Sequence, residues 1–140
     1  MGFEQRLEQL GVRVTPVRQL VYQALVEAEC AQSLADLEVE LGTVDKSSIF
    51  RNLHLFMEVG LVHQIQDDSG IAKYALTLDA EDGVGENHAH FVCLGCEKTI
   101  CLDEVDLDMS RFSLPEGYTP DHFTILLKGY CDKCSRKQRR

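Results

Sequence analysis

Residues 45–76 read DKSSIFRNLHLFMEVGLVHQIQDDSGIAKYAL. Asp45 has a side chain that caps helix N-termini, and Ile49, Leu53, Phe56 and Met57 then recur at the spacing of one helical face. Gly60 ends the pattern, so the stretch predicts a helix over Lys46–Val59. LVHQIQ and IAKYAL follow as two strand-like runs joined by DDSG, a hairpin signal.

Upstream, three more helices are legible. Phe3, Leu7 and Leu10 share one helical spacing. Thr15 and Pro16 suit an N-cap and the first helical position, and Val17, Leu20, Val21, Ala24 and Leu25 supply the face that follows. Ser33 with Asp36 resembles a capping box, Leu34, Leu37 and Leu41 continue it, and Gly42 stops it. Four helices and a hairpin, with a short turn between the last two helices, read as a helix-turn-helix with a wing over residues 1–78.

The stretch DAEDGVGEN (79–87) is acidic, contains glycine and has no period, which marks a hinge. Beyond it, HFVC and KTICL read as strands on either side of the CLGC turn, and FTILLKGYC as a strand that runs into CDKC. The fold class is therefore α+β, with a second unit over 88–134 and a basic tail, SRKQRR (135–140), expected without order.

With 140 residues, 44% of them hydrophobic, the chain can bury a core. MGFEQRLEQL lacks the apolar stretch of a signal peptide, and no run reaches the length of a membrane span. The expectation is a cytoplasmic protein with no membrane partner. A reducing compartment makes a disulfide framework of the six cysteines unfavourable.

Four of the cysteines form two C-x-x-C pairs, Cys93/Cys96 and Cys131/Cys134. Each pair aims two thiolates at one point, and two pairs complete a closed tetrahedral zinc site. Gly95 and Gly129 ease the turning. A redox-active pair would stand at a helix start in a βαβ setting, which neither pair is expected to have. A closed site stabilises a fold and leaves no position for catalysis, so no enzyme activity and no small-molecule substrate are expected.

The remaining ligands sit in HAHFVCLGCEKTIC (88–101). His88 and His90 alternate across Ala89, so in a strand they face one side and Cys93 the other. If KTIC pairs antiparallel with HAHF, Cys101 returns opposite the histidines. The fourth ligand is open among His63, His122, Asp103 and Glu104. His54 lies within the fourth helix and is expected to face solvent or DNA, and Cys30 is expected to be a buried or inert thiol and not a ligand.

The formal net charge is −9, which argues against nucleic acid unless the cations are local. Arg13 and Arg18 flank the start of the second helix, and Lys46 and Arg51 lie in the first turns of the fourth. That is a workable positive edge for a major-groove helix on an otherwise acidic surface.

VRVTPVR, SSIFRNLHLFMEVGLV, the hinge, HAHFVCLGC and GYCDKC stand in one order between Val12 and Cys134. In that order and spacing the chain resembles the ferric uptake regulator family of bacterial metal-dependent repressors. The resemblance implies a homodimer, a C-terminal α/β dimerisation domain, a structural zinc at Cys93, Cys96, Cys131 and Cys134, and a regulatory hinge metal whose binding favours the DNA-competent form. It places Ser47, Ser48, Phe50 and Arg51 where the family touches double-stranded operator DNA, with Phe50 standing for a usual tyrosine.

The hinge site departs from the family's common iron-sensing pattern. The usual histidine falls at Ala31, the usual glutamate at Ala75, and the usual carboxylate at Cys101. A further family site is lost at Asn87, Ala89 and Phe123. The zinc-sensing members are more similar, because they use a thiolate here and a ligand directly after the Gly-Leu-Val segment. This implies His63, His88, His90 and Cys101 as a regulatory site, and that donor set suits zinc better than iron. The expectation is a zinc-responsive repressor on a palindromic operator. An iron or peroxide sensor of the same family, or a zinc-stabilised interaction module without DNA binding, are the alternatives.

Overall fold

A computed structural model describes residues 2–66, 69–77, 88–102, 111–120 and 124–138, and at 88 and 138 the backbone alone. The predicted hinge, 79–87, lies outside the described residues, as do Asp67 and Asp68 of the wing turn.

The helices form where the sequence places them. They are α1 (Phe3–Gln9), α2 (Pro16–Glu27), α3 (Leu34–Leu41) and α4 (Lys46–Glu58). Thr15 Oγ1 accepts from the Arg18 N–H, and Asp45 accepts from the Ser48 N–H. The Ser33/Asp36 capping box is closed in both directions, at 3.0 Å each. Leu7, Val21, Leu25, Leu37, Ile49, Leu53, Phe56 and Leu61 pack into one buried cluster beneath these helices.

Two strands of the wing follow, β2 (Val62–Gln66) and β3 (Ala72–Leu76), paired antiparallel after α4. A third short strand, β1 (Gln32–Ser33), pairs with β3 and gives the order β1-β3-β2. The sequence reading missed β1, because two residues between helices carry no periodicity. The segment is instead held by its partner: Gln32 lies opposite Tyr74, and Ser33 opposite Lys73.

A second sheet contains β4 (His88–Cys93), β5 (Thr99–Cys101) and β6 (Thr124–Gly129), in the order β5-β4-β6. β5 runs antiparallel to β4, with Cys101 opposite His90 as the sequence predicts. β6 runs parallel to β4, with Cys93 opposite Gly129. The chain closes with α5 (Asp132–Gln138), so residues 135–138 of the tail, expected without order, are helical.

The two sheets meet through hydrogen bonds. Ala31 N–H donates to Thr99 O at 2.8 Å. Lys73 Nζ on β3 donates to Glu97 O at 2.6 Å and to Thr99 Oγ1 at 2.9 Å. Among the described residues no helix is long and apolar enough to cross a membrane.

Candidate metal centres and DNA-facing helix

Strand β4 feeds both clusters of metal-ligating side chains. At its C-terminal end the parallel register with β6 sets Cys93 beside Gly129, and Leu94 N–H donates to Gly129 O at 2.7 Å. The CLGC and CDKC turns are thereby brought together, and the sulfurs of Cys93, Cys96, Cys131 and Cys134 all lie within 4.8 Å of one another. Cys96 Sγ and Cys131 Sγ are 3.9 Å apart. Tetrahedral zinc with sulfur ligands requires an S–S edge of about 3.8 Å, so the donor set fits that ion.

The surrounding backbone is arranged for thiolate. Cys93 Sγ accepts N–H donation from Cys131 at 3.3 Å and from Cys96 and Gly95 at 3.4 Å each. Those donors, led by Cys131, bring the Cys93 pKa down to about 6. Cys131 is lowered chiefly by the Cys134 backbone N–H. Cys134 is pushed up to about 12, first by its contact with Cys93 and then by Cys131. Of these three thiols, Cys134 holds its proton most tightly. Lys98 is raised chiefly by the charge of Cys131, which places a cation beside a cluster that is anionic when four thiolates are present.

Gly95 is required here for space. A Cβ at this position would stand 2.7 Å from Cys134 Sγ. The second pair differs from the sequence expectation, since Cys131 directly precedes α5 and Cys134 lies in its first turn. CDKC therefore does stand at a helix start. The sulfurs of the first pair close on it from β4, and this gathering of four is the arrangement of a closed site.

The other cluster lies where the two sheets meet. His63 on β2, His90 on β4 and Cys101 on β5 bring their ligand atoms within 4.8 Å of one another. His63 Nε2 is 3.4 Å from Cys101 Sγ, against an N–S edge of about 3.6 Å for tetrahedral zinc. The His63 and His90 rings stack with centroids 5.6 Å apart. His90 is 3% exposed and its Nε2 is sealed from solvent. The geometry brings three of the four sequence-derived residues together. The side chain of His88 lies outside the described residues, and so do the alternatives His122, Asp103 and Glu104.

Ala75 lies directly opposite His63 in the β2–β3 ladder and offers no donor side chain. Ala31 is buried against β5 through its bond to Thr99 and offers no donor side chain. Cys30 stays outside both clusters; with Cys101, Tyr22 and Tyr74 it lines a cavity of about 460 Å³.

On α4, Lys46, Ser47, Phe50, Arg51 and His54 form an exposed stripe opposite the buried Ile49, Leu53 and Phe56. Phe50 is 43% exposed and meets His54 edge-on at 4.5 Å. Ser48 Oγ donates to Asp45 at 2.6 Å, which with the Ser48 N–H holds the Asp45 carboxyl below its usual range. Arg18 bridges α2 and α4 through Asn52 Oδ1 at 3.1 Å and also donates to Arg13 O. Ser48 and Arg18 thus both have structural bonds, while Lys46, Ser47, Phe50 and Arg13 face outward.

The sequence profile of the ferric uptake regulator family matches residues 9–126. The chain belongs to that family. Ferric uptake regulator family members are metal-responsive transcriptional regulators and not enzymes. The peroxide operon regulator of Bacillus subtilis (strain 168) is 26% identical, over 94% of this chain and 90% of the relative. The transcriptional regulator FurA of Mycobacterium tuberculosis (strain ATCC 25618 / H37Rv) is 28% identical, over 95% and 90%. Among solved structures, a zinc uptake regulator complexed with zinc and DNA has a TM-score of 0.70 at 23% identity, covering 98% of this chain and 93% of that one. The ferric uptake regulator of Vibrio cholerae has 0.65 at 21%, covering 93% and 100%. These structural likenesses establish the fold: a family winged helix followed by a small α/β unit with clustered cysteines.

Proposed function

We propose that this family member is a zinc-responsive, homodimeric transcriptional repressor in the cytoplasm. Cys93, Cys96, Cys131 and Cys134 hold a structural zinc. His63, Cys101 and His90, with His88, hold a regulatory zinc. The winged helix spans 1–78, the hinge 79–87 and the dimerisation unit 88–134. Arg13, Lys46, Ser47, Phe50 and Arg51 contact operator DNA, with Arg18 and Ser48 supporting them from within.

The observation that carries the reading is the position of the second cluster. Its ligands come from both sheets, His63 from the wing and His90 and Cys101 from the other. A metal there stabilises one relative placement of the two units, and so acts by favouring one conformation. The cluster includes a cysteine sulfur, and by the family resemblance Ala31 and Ala75 stand where nitrogen and oxygen ligands respectively are usual. Sulfur with imidazole selects zinc over manganese and disfavours an iron site of nitrogen and oxygen ligands. Exposed Leu127 and Tyr130, on and beside β6, the outermost strand of this sheet among the described residues, support a second copy as the partner.

The peroxide regulators among the relatives favour a second reading, an iron-based peroxide sensor. The test takes duplexes selected in vitro from a random pool by the zinc-loaded protein. Their affinity is then read by fluorescence anisotropy under buffered free zinc, and under ferrous iron with and without peroxide. Zinc-dependent binding that survives peroxide is expected. Binding that needs iron and is lost to peroxide would establish the second reading instead.

A further inference from the structure

The regulatory reading requires His63 to present Nε2 with its lone pair available, and the strand alone does not determine which ring nitrogen carries the proton. Thr77, the first residue after β3, stands at the other nitrogen. His63 Nδ1 lies 3.3 Å from Thr77 Oγ1, while Nε2 lies 3.4 Å from Cys101 Sγ. The imidazole is thus bracketed, with a hydroxyl at one end and the metal-ligating thiol at the other.

Thr77 is itself held on every polar group. It is buried. Its N–H donates to Leu61 O at 2.9 Å, at the base of β2. Its carbonyl accepts from Arg6 Nη2 of α1 at 2.9 Å. Helix α1 is in turn fixed by Leu7 in the core and by Phe3, which stacks on Tyr22 of α2 at 4.3 Å. The hydroxyl is therefore presented from a backbone tied to two separate elements of the winged helix. A surface threonine at the end of a strand would need none of these bonds.

We propose that Thr77 is the positioning residue of the regulatory site, anchored by Arg6. Its hydroxyl oxygen accepts the His63 Nδ1 proton and so leaves the Nε2 lone pair directed at the metal position beside Cys101. A histidine that donates its far N–H to a fixed acceptor is oriented, held in one tautomer and made a more basic ligand. With the opposite tautomer the hydroxyl would donate to Nδ1, and Nε2 would carry a proton that an incoming metal must displace. The inference rests on the assignment of His63, His90 and Cys101 to one metal.

The test uses the full chain with its four-cysteine cluster loaded and the second site metal-free, then titrated with cobalt as the probe. Long-range proton–nitrogen correlation of the imidazoles reads the His63 tautomer, with His63→Gln assigning the signal. The wild-type protein and Thr77→Ser should show His63 protonated on Nδ1. Thr77→Val, which keeps the shape and removes the hydroxyl, should give a mixture. The Cys101-dependent cobalt absorption should show affinity about 10–100-fold weaker in Thr77→Val, with Thr77→Ser restoring it. Arg6→Gln should shift in the same direction by less. An unchanged tautomer together with unchanged cobalt affinity in Thr77→Val would overturn the proposal. Failure of the site assignment has a separate mark: Cys101→Ser would leave the cobalt spectrum unaltered, and the proposal would fall with it.

Discussion

His63 Nε2 and Cys101 Sγ lie 3.4 Å apart although 38 residues separate them. One belongs to the wing hairpin and the other to the short strand β5 of the second sheet. A metal that takes both joins two sheets which are otherwise linked by side-chain and backbone hydrogen bonds such as Lys73 to Thr99. Cys101→Ser should lower the zinc bound per chain from two to one. The melting temperature of the metal-free protein should change little, because the residue is not fully buried and the substitution is nearly isosteric. Metal analysis after gel filtration checks the stoichiometry, and two retained zinc ions would refute the assignment.

The four-cysteine cluster makes a prediction about protons. A ligating thiol must lose its proton, and Cys93, held to about 6 by the N–H groups of Cys131 and Cys96, has already lost it at pH 7.5. At pH 5 it is protonated, so zinc uptake there releases about one more proton from Cys93. Cys134, pushed up to about 12, releases its proton at either pH. Apparent zinc affinity should therefore weaken additionally as pH falls through 6. Calorimetry of Cys101→Ser in buffers of different ionisation enthalpy measures the difference with the second site disabled. Equal proton release at both pH values would contradict the Cys93 environment.

Local signals were readable in advance and long-range ones were not. Thr15, Ser33 and Asp45 act on backbone groups three residues away, so their helices follow from the sequence. The convergence of Cys101 on His90 was also legible, because the hairpin between them is short and strand alternation sets the side. The parallel pairing of β6 with β4 was not, since its partner is more than thirty residues away and no local feature distinguishes parallel from antiparallel. The sequence around Gly95 signals only a turn, whereas its need is the approach of Cys134 from α5. Thr77 carries no motif at all. Its role depends on Arg6 and His63, which come together only in the folded chain.

The contact at Gly95 can be tested directly. A methyl group 2.7 Å from Cys134 Sγ is an overlap that the cluster must relieve by opening. Gly95→Ala should cost about 1–3 kcal/mol as overpacking. Because the displaced atom is a ligand, the loss should appear as weaker zinc binding at the four-cysteine cluster, by roughly 5- to 150-fold for the same energy. Competition with a chromophoric chelator measures it. Leu94→Ala, one residue away and exposed, is the control and should bind zinc normally.

Helix α4 presents two phenylalanines to opposite surroundings, and they should respond oppositely. Phe56 is fully buried with Leu53 and Ile49, so Phe56→Ala should cost about 3–5 kcal/mol and lower DNA binding only through unfolding. Phe50 is nearly half exposed and its ring meets His54, so Phe50→Ala should alter stability by less than about 1 kcal/mol. If the exposed stripe enters the major groove, the same change should weaken operator binding by roughly tenfold through loss of apolar contact with a thymine methyl. Phe50→Tyr should keep that contact and add a hydrogen-bonding group, shifting sequence preference more than affinity. Denaturant melts and in vitro selection on each variant measure the two effects separately. A Phe50→Ala protein that is stable and binds the same duplexes with unchanged affinity would remove α4 from the DNA interface, whatever the metal sites do.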